Sequence, residues 1–142
     1  MRTLSVLAAA ATVLVLAAPS MGEQRSTVGA HSSSYGTILF DGRGFVLYAF
    51  THDPRKRSTC SGACAKAWPP YLAHGRAAAS AGASAKLLGT ILRGDGTRQI
   101  TYAGRPLYYY VGDRKPGQIL CQNVTEFGGV WLVVRPSGKP VR

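Results

Sequence analysis

Short runs of β-branched and aromatic residues alternate along most of the chain with segments rich in glycine, proline and aspartate. The apolar run at residues 36–40 is separated from the run at residues 45–50 by Asp-Gly-Arg-Gly, a composition typical of a hairpin turn. Further runs of this kind lie at residues 87–92, 99–102, 107–111 and 130–134. The pattern predicts an all-β protein of about seven short strands, connected mainly as meander-type hairpins.

One segment has a different character. Residues 63–67 are mostly alanine and lysine, which favour helix, and Pro69 and Pro70 then end it. We therefore expect one short helical turn near Cys64 to Trp68.

The strand pattern occurs twice. Gly-Thr-Ile-Leu begins at Gly36 and again at Gly89, and Leu-Tyr-Ala-Phe-Thr-His-Asp at residues 47–53 has a degenerate copy at residues 107–113. We predict a single all-β domain over residues 35–142, built from two tandem degenerate repeats. The first covers 35–72, the second covers 87–136, and a loop rich in alanine, glycine and serine joins them.

The beginning of the chain is typical of an export signal. Arg2 precedes an apolar, small-residue run over residues 4–18, which at about 15 residues is short for a membrane span. We predict a cleaved signal peptide at residues 1–22 and a flexible, serine-rich lead-in at residues 23–34. No cysteine adjoins the cleavage region for lipid attachment, so we expect a secreted or periplasmic protein without a transmembrane helix.

The chain is basic, with 17 lysines and arginines against six aspartates and glutamates and a formal net charge of +11. Loss of the leader removes only Arg2 from this surplus. We expect the positive charge to attract an anionic envelope surface or polymer. Nucleic acid is not the expected partner, because the basic residues lie singly or in threes and the leader exports the chain.

The sequence contains no combination of residues typical of an enzyme active site. It has no Ser-His-Asp order, no glycine-rich phosphate loop and no paired acids. We predict a non-enzymatic binding or interaction module without a cofactor. The alternative is a redox or metal-handling protein that uses the cysteines, with Cys60, Cys64 and His52 as candidate metal ligands.

Two motifs resemble those of the bacterial secreted lipoprotein-repeat family. One is a doubled Tyr-x-aromatic-x-x-Asp pattern, and the other is Cys-x-Gly-x-Cys-Ala-x-x-Trp-Pro-Pro over residues 60–70. The resemblance implies an exported protein with a repeat architecture and implies no known activity. With the tryptophan of each copy, the motif positions are Tyr48, Phe50, Asp53, Trp68, Tyr108, Tyr110, Asp113 and Trp131.

The aromatic residues of each motif copy are two positions apart, so on a strand they point to the same face. We interpret them as core packing and interpret the two aspartates as caps of the turns that follow. The alternative for the aromatic residues is an exposed stacking platform for a sugar or another flat ligand.

The chain has three cysteines. The resemblance implies a disulfide between Cys60 and Cys64, which are four positions apart. The alternative joins one of them to Cys121, which aligns with Cys60 when the two repeats are overlaid. Either pairing leaves one free thiol.

Overall fold

The computed structural model describes residues 25–142, so the predicted signal peptide lies outside the described residues. The described part contains nine strands and one short helix, which confirms the predicted all-β class with tandem repeats and a single helical turn. The elements are β1 (Ser26–Ser33), β2 (Gly36–Asp41), β3 (Tyr48–Phe50), α1 (Ala63–Ala67), β4 (Ala77–Ser80), a 3-10 turn (Ala85–Leu87), β5 (Leu88–Leu92), β6 (Arg98–Tyr102), β7 (Arg105–Pro106), β8 (Val124–Glu126) and β9 (Gly129–Val133).

The strands form three three-stranded sheets, with the orders β2-β1-β4, β3-β9-β8 and β5-β6-β7. Neighbouring strands are antiparallel except for β1 and β4, which are parallel. The sheet β3-β9-β8 contains strands of both repeats, because β3 belongs to the first repeat and β8 and β9 to the second. Within it, Phe50 lies opposite Trp131.

Two segments that were predicted to be irregular are strands. The expected flexible lead-in at residues 23–34 contains β1, which pairs with β2 over its last six residues, and the expected joining loop contains β4. Both predictions were wrong, because these segments are rich in small residues with little local strand propensity. β1 forms a hairpin with β2, which follows after two residues, and β4 pairs with β1 about fifty positions away. Small residues allow the close approach: a Cβ atom on Gly29 would lie 3.0 Å from Oγ of Ser80.

The predicted strand at residues 107–111 is not a regular strand. Tyr108 forms isolated bridges with Tyr48 and Pro70, while the N–H of Tyr109 donates to Pro69 and that of Val111 donates to Ala67. The backbone of this segment therefore bonds to several elements in turn, and no continuous ladder develops. The corresponding segment of the first repeat, residues 45–50, likewise forms a regular strand only at Tyr48–Phe50.

Two buried clusters form the core, and residues 46–50 contribute to both. Val46, Tyr48 and Phe50 belong to one cluster, and Leu47 and Ala49 belong to the other. This division follows from the two-residue period of an extended chain, whose successive side chains point in opposite directions. The segment that carries the first motif copy is therefore buried on both faces.

No helix in the described part of the chain is long and apolar enough to cross a membrane.

Candidate functional site

The two repeats meet at the backbones of Tyr48 and Tyr108, which occupy the same position in the two motif copies. The N–H of each tyrosine donates to the carbonyl of the other, and both N···O distances are 2.9 Å. An antiparallel pair of this kind has local two-fold symmetry. Because the paired residues are equivalent, this symmetry also relates the two motif copies.

The motif tyrosine of each repeat donates a hydrogen bond to the motif aspartate of the other repeat. The hydroxyl of Tyr48 lies 2.7 Å from Oδ2 of Asp113, and the hydroxyl of Tyr108 lies 2.5 Å from Oδ2 of Asp53. Each motif copy therefore supplies the hydrogen-bond partner of the other: the tyrosine of one copy binds the aspartate of the other.

The second oxygen of each aspartate holds the loop that follows it. Oδ1 of Asp53 accepts bonds from the N–H and the hydroxyl of Thr59, at 2.7 and 2.8 Å. Oδ1 of Asp113 accepts the N–H of Leu120 at 3.0 Å. Each carboxylate thus both fixes its own loop and binds the opposite repeat.

Sequence reasoning identified the tyrosines and aspartates but missed that they pair across the repeats. Tyr48 and Asp53 are five positions apart, as are Tyr108 and Asp113. The chain turns between them, because the N–H of Asp53 donates to Phe50 and that of Asp113 donates to Tyr110, so this spacing gives no signal for the partner of each tyrosine.

The two tyrosine–aspartate pairs have different surroundings. Asp113 is only 8% exposed, and this burial raises its pKa, while the bonds from Tyr48 and Leu120 act in the opposite direction. Burial, followed by the bond to Asp113, also raises the pKa of Tyr48, so its hydroxyl stays protonated and donates. This pair therefore holds a carboxyl group that is costly to ionise.

The other pair belongs to a longer chain of hydrogen bonds. The hydroxyl of Tyr108 lies 2.7 Å from Oγ of Ser58, which also accepts a bond from Nη1 of Arg93 at 2.9 Å. Asp53 is half-buried. Hydrogen bonds thus connect the carboxyl group of Asp53 through Tyr108 and Ser58 to the guanidinium group of Arg93.

The motif aromatic residues and the two tryptophans form one aromatic cluster. Trp68 and Trp131 stack at its centre, with ring centroids 4.0 Å apart and planes inclined by 2°. Phe50 of the first repeat stacks on Trp131 of the second at 4.1 Å, and Tyr110 of the second repeat packs on Trp68 of the first at 4.8 Å. These contacts also cross the repeat boundary.

Within each repeat, the first motif tyrosine directs its ring edge-on to the tryptophan of the same repeat. Tyr48 and Trp68 have centroids 5.3 Å apart, and Tyr108 and Trp131 have centroids 5.1 Å apart. Of the six rings, Tyr110 is half-buried and the other five are buried. The buried rings pack in the core and are not available as a stacking platform for a ligand.

The predicted disulfide between Cys60 and Cys64 is confirmed, with a Cα–Cα distance of 5.3 Å, and Cys121 is the free, half-buried cysteine. The metal site at Cys60, Cys64 and His52 stays a prediction for a reduced form, because the disulfide sulfurs of this oxidised form provide no thiolate ligand. His52 packs instead against the ring of Phe50. Residues 25–142 contain no group of three or more histidine, cysteine, aspartate or glutamate residues arranged to hold a metal ion.

A family model described as a secreted repeat of unknown function matches residues 29–71 and 89–135. No curated protein and no solved structure matches the chain. The two matched segments contain the two motif copies that meet at Tyr48 and Tyr108, and the description agrees with the predicted secreted location. The chain therefore belongs to the lipoprotein-repeat family, a family of secreted repeats of unknown function.

Proposed function

We propose that the protein is a secreted, non-enzymatic interaction module that binds an anionic polymer of the cell envelope through its basic surface. The observation that carries this proposal is that the few acidic side chains are all engaged in hydrogen bonds within the fold. Residues 25–142 contain 16 lysines and arginines but five aspartates and glutamates. All five acidic groups accept hydrogen bonds from neighbours in the fold.

The donors to these acids are mostly neutral groups. Glu126 accepts the indole N–H of Trp68 at 2.7 Å, and Asp95 accepts the N–H and hydroxyl of Thr97. Asp53 and Asp113 accept the bonds described above. Within residues 25–142, the one ion pair joins Arg43 to Asp41 at 3.0 Å. The other basic side chains in this part of the chain have no acidic partner, which favours a long-range attraction for polyanions.

Three arginines from distant parts of the chain lie close together, and we call them the basic cluster: Arg55, Arg105 and Arg142. Arg55 donates to the carbonyl of Ala103, and Nε of Arg105 donates to the carbonyl of Gly138 at 3.2 Å. The pKa of Arg105 is lowered, first by burial and then by the positive charges of Arg55 and Arg142. Carbonyl groups hold Arg55 and Arg105, and the nearby positive charges of the three arginines favour an anionic ligand.

The disulfide supports this reading over the redox alternative. Cys60 is 1% exposed and Cys64 is 7% exposed, and both belong to the buried core around the aromatic cluster. Thiol–disulfide exchange requires access to a sulfur atom, so burial of both sulfurs favours a structural role for this bond.

Binding to inorganic polyphosphate, measured by the anisotropy of a labelled polymer, provides the test. We expect binding at low salt and a loss of affinity of about tenfold or more between 50 and 300 mM NaCl, because added salt screens surface charges. Changing all three residues of the basic cluster to glutamine should weaken binding more than the matched triple change of Arg76, Arg98 and Arg114, which are exposed. Absent or salt-independent binding would contradict the proposal, and equal losses in the two triple variants would contradict the basic cluster as its site.

A further inference from the structure

We propose that a groove lined mainly by residues of the first repeat, together with Tyr109 of the second, binds a single sugar unit that carries a carboxylate or phosphate group. The groove has a volume of about 570 Å³, within the usual range of small-molecule sites. It contains no residue of the basic cluster, so this proposal is separate from polymer binding. Its lining includes Arg25, Arg43, Pro70, Tyr71, His74 and Tyr109.

The base of the groove is a buried carboxylate whose acceptor positions are all used. Asp41 is 4% exposed. Its oxygens accept the N–H groups of Arg43 and Phe45, both at 2.9 Å, Nε of Arg43 at 3.0 Å and the hydroxyl of Tyr109 at 2.8 Å. An ionised carboxylate has about four acceptor positions, so Asp41 is saturated. Its role here is to hold Arg43 and Tyr109 in place.

Arg43 is thereby fixed at one end and open at the other. Its side chain is 71% exposed, and its Nε is bound to Asp41, while neither terminal nitrogen donates a hydrogen bond to any of residues 25–142. The guanidinium carbon lies 5.1 Å from the ring centroid of Phe45 and 5.9 Å from that of Tyr109, which further restricts its position. A planar guanidinium with two free nitrogens matches a carboxylate or phosphate in a two-bond arrangement.

The other walls suit a sugar ring. Pro69 and Pro70 are half-buried and provide apolar surface, and the half-buried ring of Tyr109 lies in the same groove. Arg25 and His74 are exposed at its border, and neither side chain is hydrogen-bonded to another described residue. Apolar walls with a few convergent polar groups are typical of small-molecule sites. An anionic sugar offers C–H faces to these walls, a charge to Arg43 and hydroxyl groups to the border.

Titration calorimetry of the mature protein with glucuronate, glucose 6-phosphate and glucose provides the test. We expect at least one anionic sugar to bind at least about tenfold more tightly than glucose, because only the anionic sugars form the charge-assisted pair. The preference between glucuronate and glucose 6-phosphate identifies the carboxylate or the phosphate as the recognised group. No binding of either anionic sugar, or equal binding of glucose, would overturn the proposal.

Variants locate the site. Arg43→Gln should weaken binding of the anionic sugar about tenfold or more, and Arg43→Lys should give an intermediate loss because lysine keeps the charge without the planar fork. Arg114→Gln, at an exposed arginine outside the groove, should leave binding unchanged. The glutamine triple variant of the basic cluster should also retain sugar binding, which separates this proposal from polymer binding. Full sugar binding by folded Arg43→Gln would refute the assignment.

Discussion

Replacing Trp131 with alanine is expected to lower the free energy of unfolding by about 3–5 kcal/mol. The side chain is fully buried, and its ring contacts those of Phe50, Trp68 and Tyr108. Its indole N–H donates no hydrogen bond within residues 25–142, so the expected loss arises from packing. Urea unfolding followed by circular dichroism measures the change.

Leu120 provides the control for this substitution. It belongs to the same repeat but is 57% exposed, so Leu120→Ala should change the free energy of unfolding by less than about 0.5 kcal/mol. If Trp131→Ala were no more destabilising than Leu120→Ala, the aromatic cluster would not hold the two repeats together.

Replacing Tyr48 with phenylalanine is expected to cost about 1–3 kcal/mol of stability at neutral pH, and less near pH 4. The change removes the hydroxyl group that donates to Asp113 and leaves that buried carboxyl group with the N–H of Leu120. Unfolding free energies of both proteins at pH 4 and pH 7 measure the effect.

The direction of the pH dependence follows from the pKa of Asp113, which burial raises above its ordinary value. Over the pH window between the unfolded and folded pKa values, the folded protein keeps a proton that the unfolded chain releases. Stability therefore falls as the pH rises through this window. The bond from Tyr48 lowers the pKa of Asp113, so its loss in Tyr48→Phe raises that pKa further. The pH window then extends to higher pH, and the variant loses more stability than the parent protein by neutral pH.

Tyr35 is a matched control, since it is exposed and its hydroxyl group has no hydrogen-bond partner among the described residues. Tyr35→Phe should change stability little at either pH. If Tyr48→Phe lowered the free energy of unfolding by the same amount at pH 4 and at pH 7, this explanation of the role of Asp113 would be contradicted.

The strands that could be predicted from the sequence are those with β-branched residues and clear turns at their ends. This group includes β5, β6 and β9, which follow the predicted runs closely. The strands β1 and β4 could not be predicted, because their many small residues give little local strand signal. β1 forms a hairpin with β2, while Ala77–Ser80 pairs with residues about fifty positions away. Pairing between distant segments is not encoded in a local pattern.

In the candidate site, likewise, the motif residues could be predicted from the sequence, but their partners in the other repeat could not. Repetition of the motif pointed to the tyrosines and aspartates, and family resemblance pointed to the disulfide. The partner of each tyrosine depends on how the repeats face each other, which the spacing within one copy does not specify. The groove around Arg43 was missed because its lining comes from separate segments, including residues 25–27, 41–43 and 69–72.

A double-mutant cycle tests most directly the central claim that each motif copy completes the other. The cycle combines Tyr48→Phe with Asp113→Ala, and a matched cycle combines Tyr48→Phe with Asp53→Ala, within the same copy. The account predicts a coupling energy of about 1 kcal/mol or more across the repeats, and additivity within about 0.5 kcal/mol inside one copy. Additivity between Tyr48 and Asp113, with coupling between Tyr48 and Asp53, would contradict it.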